Sequence, residues 1–161
     1  MKTNLSHSPA KGFTLIELLV VITIIVILAA LSVGGFNYVT QKQALSQAAI
    51  QISLLDNALE DYKLDNGDYP PAGNSNSLYR ILYWDPANAT PPGKIYVNQL
   101  DPINNKQGWT EGTGANVKIM DPWGGEYIYR IGSDPKAKNP DFDILSKGKD
   151  ATEDTPDDMR N

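Results

Sequence analysis

Two groups of carboxylates in this 161-residue chain sit where chemistry would follow from them. Glu17 is the one charge between Phe13 and Leu31, a run otherwise broken only by Thr14 and Thr23. A charge at mid-membrane costs about 2.5–3.5 kcal/mol, and less near an interface. A carboxylate kept there is either a functional group awaiting a partner or a side chain reaching the headgroups from an ordinary signal-anchor. The second group is C-terminal: Asp141, Asp143, Asp150, Glu153, Asp154, Asp157 and Asp158, seven of nineteen acids. Such a run is a solvated tail, or it is a loop of hard oxygen donors suited to Ca²⁺. Ser146, Gly148 and Thr152 favour a turning loop, although the EF-hand spacing is absent.

Other chemistry is poorly supplied. The chain has no cysteine, so neither a thiol nucleophile nor a disulfide is available, and its single histidine is His7. No enzymatic activity is expected. The net charge of −5 without a basic patch argues against nucleic acid as a partner.

The elements that carry these residues follow from periodicity. Residues 1–12 are polar, with Lys2 and Lys11 on the side expected to stay cytoplasmic. The Phe13–Leu31 run, as a helix, is roughly 28 Å long and matches a bilayer core. Gly34-Gly35 reads either as a tolerated kink or close helix contact, or as a place where the helix loosens. Leu45, Ala48, Ala49, Ile52, Leu55, Leu59 and Tyr62 then recur at steps of three and four, the buried stripe of an amphipathic helix. Asn66-Gly67 and Pro70-Pro71 should end it. Residues 71–116 are loop-rich, with a helical turn expected at 78–84 and a short strand at 95–100. Trp84 and Trp109 are expected to pin these loops to a small core. Asp121-Pro122-Trp123-Gly124-Gly125 is a turn, followed by strands over 126–131 and 142–145.

Lys11-Gly12-Phe13-Thr14-Leu15-Ile16-Glu17 resembles the processing site of class III signal peptides, found in type IV pilins and type II secretion pseudopilins. Leu55-Asp56-Asn57-Ala58-Leu59 and the segment from Tyr62 to Pro70 resemble the type II secretion major pseudopilins in particular. So do Asp121-Pro122-Trp123-Gly124 and the Asp143-Ile144-Leu145-Ser146 segment, with Gly148 and Asp150 behind it. The resemblance implies an α+β pilin-like fold: a long N-terminal helix, a small antiparallel sheet and a C-terminal metal-binding loop. It divides the chain into a cleaved leader (1–12), a transmembrane and assembly segment (13–35) and a periplasmic domain (36–161). A prepilin peptidase would cut between Gly12 and Phe13 and methylate Phe13, removing His7 with the leader. Glu17 would be the assembly glutamate, neutralising the new amine of a neighbouring subunit.

The resemblance further implies one structural calcium in the C-terminal loop. Asp150 and Asp157 fall on the family's carboxylate ligands, and Lys147 and Thr152 on its main-chain oxygens. Ser146 and Asp158 are additional candidates. Ala151 stands where the family usually has glycine. The function implied is that of a structural subunit of the periplasmic pseudopilus of a type II protein secretion system. It would be a single-pass protein of the bacterial inner membrane that polymerises with itself. Its partners would be minor pseudopilins, the inner-membrane assembly platform and the prepilin peptidase. A type IV pilus subunit, serving adhesion, twitching motility or DNA uptake, is the alternative.

Overall fold

In the computed structural model, the described residues are 12–83, 93–105 and 107–161, with the side chains of 32–37 excluded. Thr14 opens a helix, α1, that runs from Leu15 to Asn66 with its backbone helical through Gly34-Gly35. Gly67 ends it at φ +88°, a left-handed conformation that glycine adopts without steric cost, and its N–H donates to the Lys63 carbonyl at 2.7 Å. The helix end thus lies where the Asn66-Gly67 pair places it.

The chain forms two compact units, residues 1–41 and 42–161. In the first, every described side chain from Phe13 to Leu31 is exposed, including Ile16, Leu19, Ile22 and Ile25. Among the described residues no helix is long and apolar enough to cross a membrane. The span expected over 13–35 takes in residues 32–35, whose side chains lie outside the described set.

In the second unit the helical stripe forms the floor of a core. Ala48, Ile52, Leu55, Ala58 and Leu59 are buried, Tyr62 is half-buried, and Leu45 and Ala49 are exposed, so the stripe is narrower than its periodicity suggested. Gln51 joins the buried face because the Tyr127 hydroxyl donates to its side-chain oxygen at 2.8 Å. Hydrogen bonding admits a polar group that periodicity alone excludes.

The loop-rich region folds in short pieces. Helix α2 (Ser75–Leu82) is capped by Asn74, whose side chain accepts from the Ser77 N–H at 2.9 Å. Ser75, Leu78, Tyr79 and Leu82 recur at helical spacing and are buried. The strand expected at 95–100 is instead a 3₁₀ turn, Asn98–Leu100, following main-chain bonds from Tyr96 and Val97 to the Leu82 carbonyl. A two-stranded ribbon of β1 (Thr110–Glu111) and β2 (Lys118–Ile119) was not anticipated. The Ser75 hydroxyl ties it to α2 by donating to the Ile119 carbonyl and accepting its N–H. Trp109 is 1% exposed and belongs to the core, as expected, whereas Trp84 lies outside the described residues.

The main sheet is antiparallel, ordered β3 (Ile128–Ile131), β4 (Phe142–Ser146), β5 (Met159–Arg160). Strand β4 is buried along its whole length. Phe142 and Ile144 join the core with Tyr127 and Tyr129, while Asp143 and Leu145 alternate to the other face. The connection from β3 to β4 is tight: a Cβ on Gly132 would lie 1.6 Å from the Pro140 carbonyl oxygen.

Candidate functional site

The helix start is built by one local motif. The Thr14 N–H and hydroxyl both donate to Glu17 Oε2, at 2.9 and 2.7 Å, and the Glu17 N–H donates back to the Thr14 hydroxyl at 3.3 Å. This reciprocal Thr-x-x-Glu arrangement is a capping box, satisfying N–H groups that no helical carbonyl can reach. Phe13, Ile16, Glu17, Val20 and Val21 line an open groove of about 310 Å³, in which Glu17 supplies the one carboxylate. Phe13 is 86% exposed, and a Cβ on Gly12 would meet nothing within 4 Å. Among the described residues, nothing packs against Gly12 or covers the Phe13 side chain. The Thr-x-x-Glu signal was present in the sequence, but only the chemistry of Glu17 was read from it.

The C-terminal loop hangs on Ser146, the last residue of β4. Its hydroxyl donates to Asp121 Oδ2 at 2.6 Å and accepts from the Gly148 N–H at 3.2 Å. Asp121 is 3% exposed and organises the turn before β3, its Oδ1 accepting from the N–H groups of Trp123 and Gly125. Ser146 thus joins the turn to the loop, and its hydroxyl already has two partners. Gly148 follows at φ +62°, where a Cβ would lie 2.6 Å from Asp157 Oδ2. The absence of a side chain lets Asp157 close over the loop.

Asp157 Oδ2 accepts from the N–H groups of Lys149 and Asp150, at 2.8 and 3.1 Å. Its other oxygen accepts from the Thr155 hydroxyl at 2.7 Å. That hydroxyl also lies 3.1 Å from the Thr152 carbonyl oxygen and 3.4 Å from Asp150 Oδ1. The Thr155 bond, followed by the Asp150 N–H, holds the Asp157 carboxyl below the usual carboxylate range, so it is ionised at neutral pH.

Among the described residues no three His, Cys, Asp or Glu side chains gather as a metal cluster. A cation here would instead draw on two carboxylates and on main-chain oxygens. Asp150, Thr152 and Asp157 converge on Thr155, which has one proton for three acceptors, leaving hard oxygen donors to spare. That donor chemistry fits calcium. Asp158 is turned elsewhere: its Oδ2 accepts from the Asp154 N–H at 2.8 Å and lies 3.5 Å from Arg160 Nη2.

Beneath the loop lies a charge cluster that sequence reasoning missed. Asp143, 1% exposed, pairs with Arg160 and lies 3.8 Å from Arg130. Arg130 in turn holds Glu153. Removing one partner of such a buried pair costs about 3–5 kcal/mol, because a charge is stranded. The signal was faint: an arginine at an alternating strand position reads as solvent-facing until something covers it.

Residues 37–161 match the family model described as type II secretion system (T2SS), protein G, and residues 7–33 match the prokaryotic N-terminal methylation motif. The type II secretion system core protein G of Escherichia coli K12 is 35% identical over 151 residues, covering 94% of this chain and 90% of that protein. That of Pseudomonas aeruginosa is 33% identical, covering 89% and 86%. A type IV major pilin protein, PilE1 of Neisseria gonorrhoeae, is 28% identical over 88% of this chain. Among solved structures, the major pseudopilin from the type 2 secretion system of enterohaemorrhagic E. coli covers 74% of this chain at 23% identity and a TM-score of 0.46.

Proposed function

Because the chain belongs to the type II secretion system protein G family, we propose a working cycle for it as a subunit of the pseudopilus. The observation that carries the proposal is the exposed apolar start of α1, from Phe13 onward, with the Glu17 carboxylate one turn in. Uncovered side chains from Leu15 to Leu31 would be costly in water at about 25 cal/mol per Å², so the segment needs lipid or neighbouring helices. It anchors the chain in the bacterial inner membrane, with residues 42–161 on the periplasmic side. The prepilin peptidase cuts after Gly12 and methylates Phe13. Glu17 then meets the Phe13 amine of an adjacent subunit, and repetition of that contact builds an open helical polymer. The assembly platform and minor pseudopilins are its remaining partners. The role is mechanical, not enzymatic.

Calcium belongs to this proposal as a structural ion. Asp150 and Asp157 would hold it by their carboxylates, and Lys147 and Thr152 by main-chain oxygens. It would take over the role that a disulfide has in other exported domains, fixing a loop whose acids repel one another. The test of the cycle is mass spectrometry of fibres collected from cells that express the chain with its secretion system. The expected subunit begins at N-methylated Phe13. Membrane-bound protein that keeps residues 1–12 and forms no fibre would refute the cycle.

A further inference from the structure

The acids of the C-terminal loop divide between two sets of partners. Asp150 and Asp157 face the Thr155 hydroxyl, whereas Glu153 and Asp158 lie against arginines, and Asp154 lies near both Arg160 and Lys138. Arg130 holds Glu153 by one hydrogen bond, Nη2 donating to Oε2 at 3.0 Å, while Nη1 lies 2.8 Å from Oε1 as an ion pair without donating. A charge-assisted bond of this kind is about twice as strong as a neutral one. Arg160 lies 3.5 Å from both Asp154 and Asp158. Both arginines are rooted in the sheet. Arg130 on β3 stands directly opposite Asp143 on β4, and Arg160 on β5 pairs with the same carboxylate from the other side.

We propose that Arg130 and Arg160, seated on Asp143, are positioning residues that latch the C-terminal loop to the sheet before any cation arrives. The latch sorts the loop acids, drawing three towards the arginines and leaving Asp150 and Asp157 to converge on Thr155. The calcium part of this inference rests on the reading above; the latch itself does not.

Two effects of the arginines on a cation have opposite signs. As bare positive charges they repel a cation, so removing Arg130 would tighten its binding. As a latch they pre-form its site, so removing Arg130 would weaken it. The latch predicts that R130Q and E153Q change affinity in the same direction, since each breaks the same grip. A field effect predicts opposite directions.

The test uses the full chain in detergent. In EGTA, amide exchange is followed at Lys149, Asp150, Thr152 and Asp154, whose N–H groups donate to loop carboxylates. Both variants are expected to speed exchange at these amides tenfold or more; unchanged exchange in both overturns the latch. Calcium titration is then expected to show binding weakened at least fivefold in both. Tighter binding by R130Q alongside weaker binding by E153Q would replace the latch with a field effect. E153Q leaves Arg130 beside Asp143, so it remains informative if R130Q fails to fold. A wild-type chain that binds no calcium overturns the calcium reading alone, and the exchange data still decide the latch.

Discussion

The Thr14 hydroxyl donates to the Glu17 carboxylate at 2.7 Å, so the proposed assembly glutamate is also the cap of its own helix. The two roles separate by substitution. Glutamine completes a capping box as glutamate does, but it carries no charge. Glu17→Ala and Glu17→Gln should therefore both abolish fibre formation while leaving membrane retention intact, as read by cell fractionation and electron microscopy. Fibres from Glu17→Gln would assign the residue to capping alone.

Calcium removal should lower the stability of the full chain in detergent. A ligand bound to the folded form alone contributes about 2.7 kcal/mol at a hundred times its Kd. Thermal melts with and without EDTA should differ by several degrees, and Asp157→Ala should erase the difference. The same Tm for the unsubstituted chain in both conditions would remove calcium from the account.

Backbone strain in the same loop gives a prediction of opposite signs. Ala151 sits at φ 55°, where a Cβ costs roughly 1–2 kcal/mol. Replacing it with glycine relieves that cost and loses about 0.4–1 kcal/mol through the more flexible unfolded chain. Ala151→Gly should therefore stabilise by about 0.5–1 kcal/mol. Gly148→Ala should destabilise by more than this, since its Cβ would lie 2.4 Å from the Asp157 carbonyl oxygen. Thermal unfolding of the two variants checks both signs.

Within the core, the Tyr127 hydroxyl is the partner of the buried Gln51 side-chain oxygen. Tyr127→Phe should cost about 1–3 kcal/mol, the desolvation penalty of a buried acceptor left alone. The double variant Tyr127→Phe with Gln51→Met should recover much of it. A urea melt of each decides the matter.

Alkaline pH should unfold the protein through its tyrosines. Burial raises the pKa of Tyr127 and Tyr129 far above the usual phenol value, and burial also raises Tyr69, Tyr83 and Tyr96. A phenol whose folded pKa is raised stabilises the fold fully below the unfolded value, near pH 10, and that stability is lost as pH climbs towards the folded value. Absorbance at 295 nm should show a late step coinciding with loss of helical circular dichroism. Complete titration near pH 10 with the fold intact would contradict the burial.

What the sequence revealed and what it hid have physical causes. The end of α1 was legible because a local group, Gly67 with Lys63, makes it, and its start because the apolar run from Phe13 sets it, although the Thr14–Glu17 cap went unread. Strand β3 was legible from alternation, and β4 from its place after the Gly132–Pro140 connection. Strand β5 was not, because Met159–Arg160 is a strand only by pairing with Leu145 and Ser146. The ribbon of β1 and β2 escaped for the same reason. Leu45 and Ala49 have core character, but the described residues of the second unit leave them exposed. The arginines are the sharpest case: Arg130 is buried by Glu153, a residue 23 positions away in a loop that polarity alone would leave in water.

The central claim is that this chain builds the secretion filament. The most direct test deletes its gene, restores either the original or the Glu17→Ala chain, and compares the proteins of the culture medium. A small set of exported proteins should disappear on deletion and return with the original chain but not with Glu17→Ala, while surface pili, which are built from other subunits, and motility persist throughout. An unchanged medium with fibres or twitching lost would contradict it and assign the chain to a pilus.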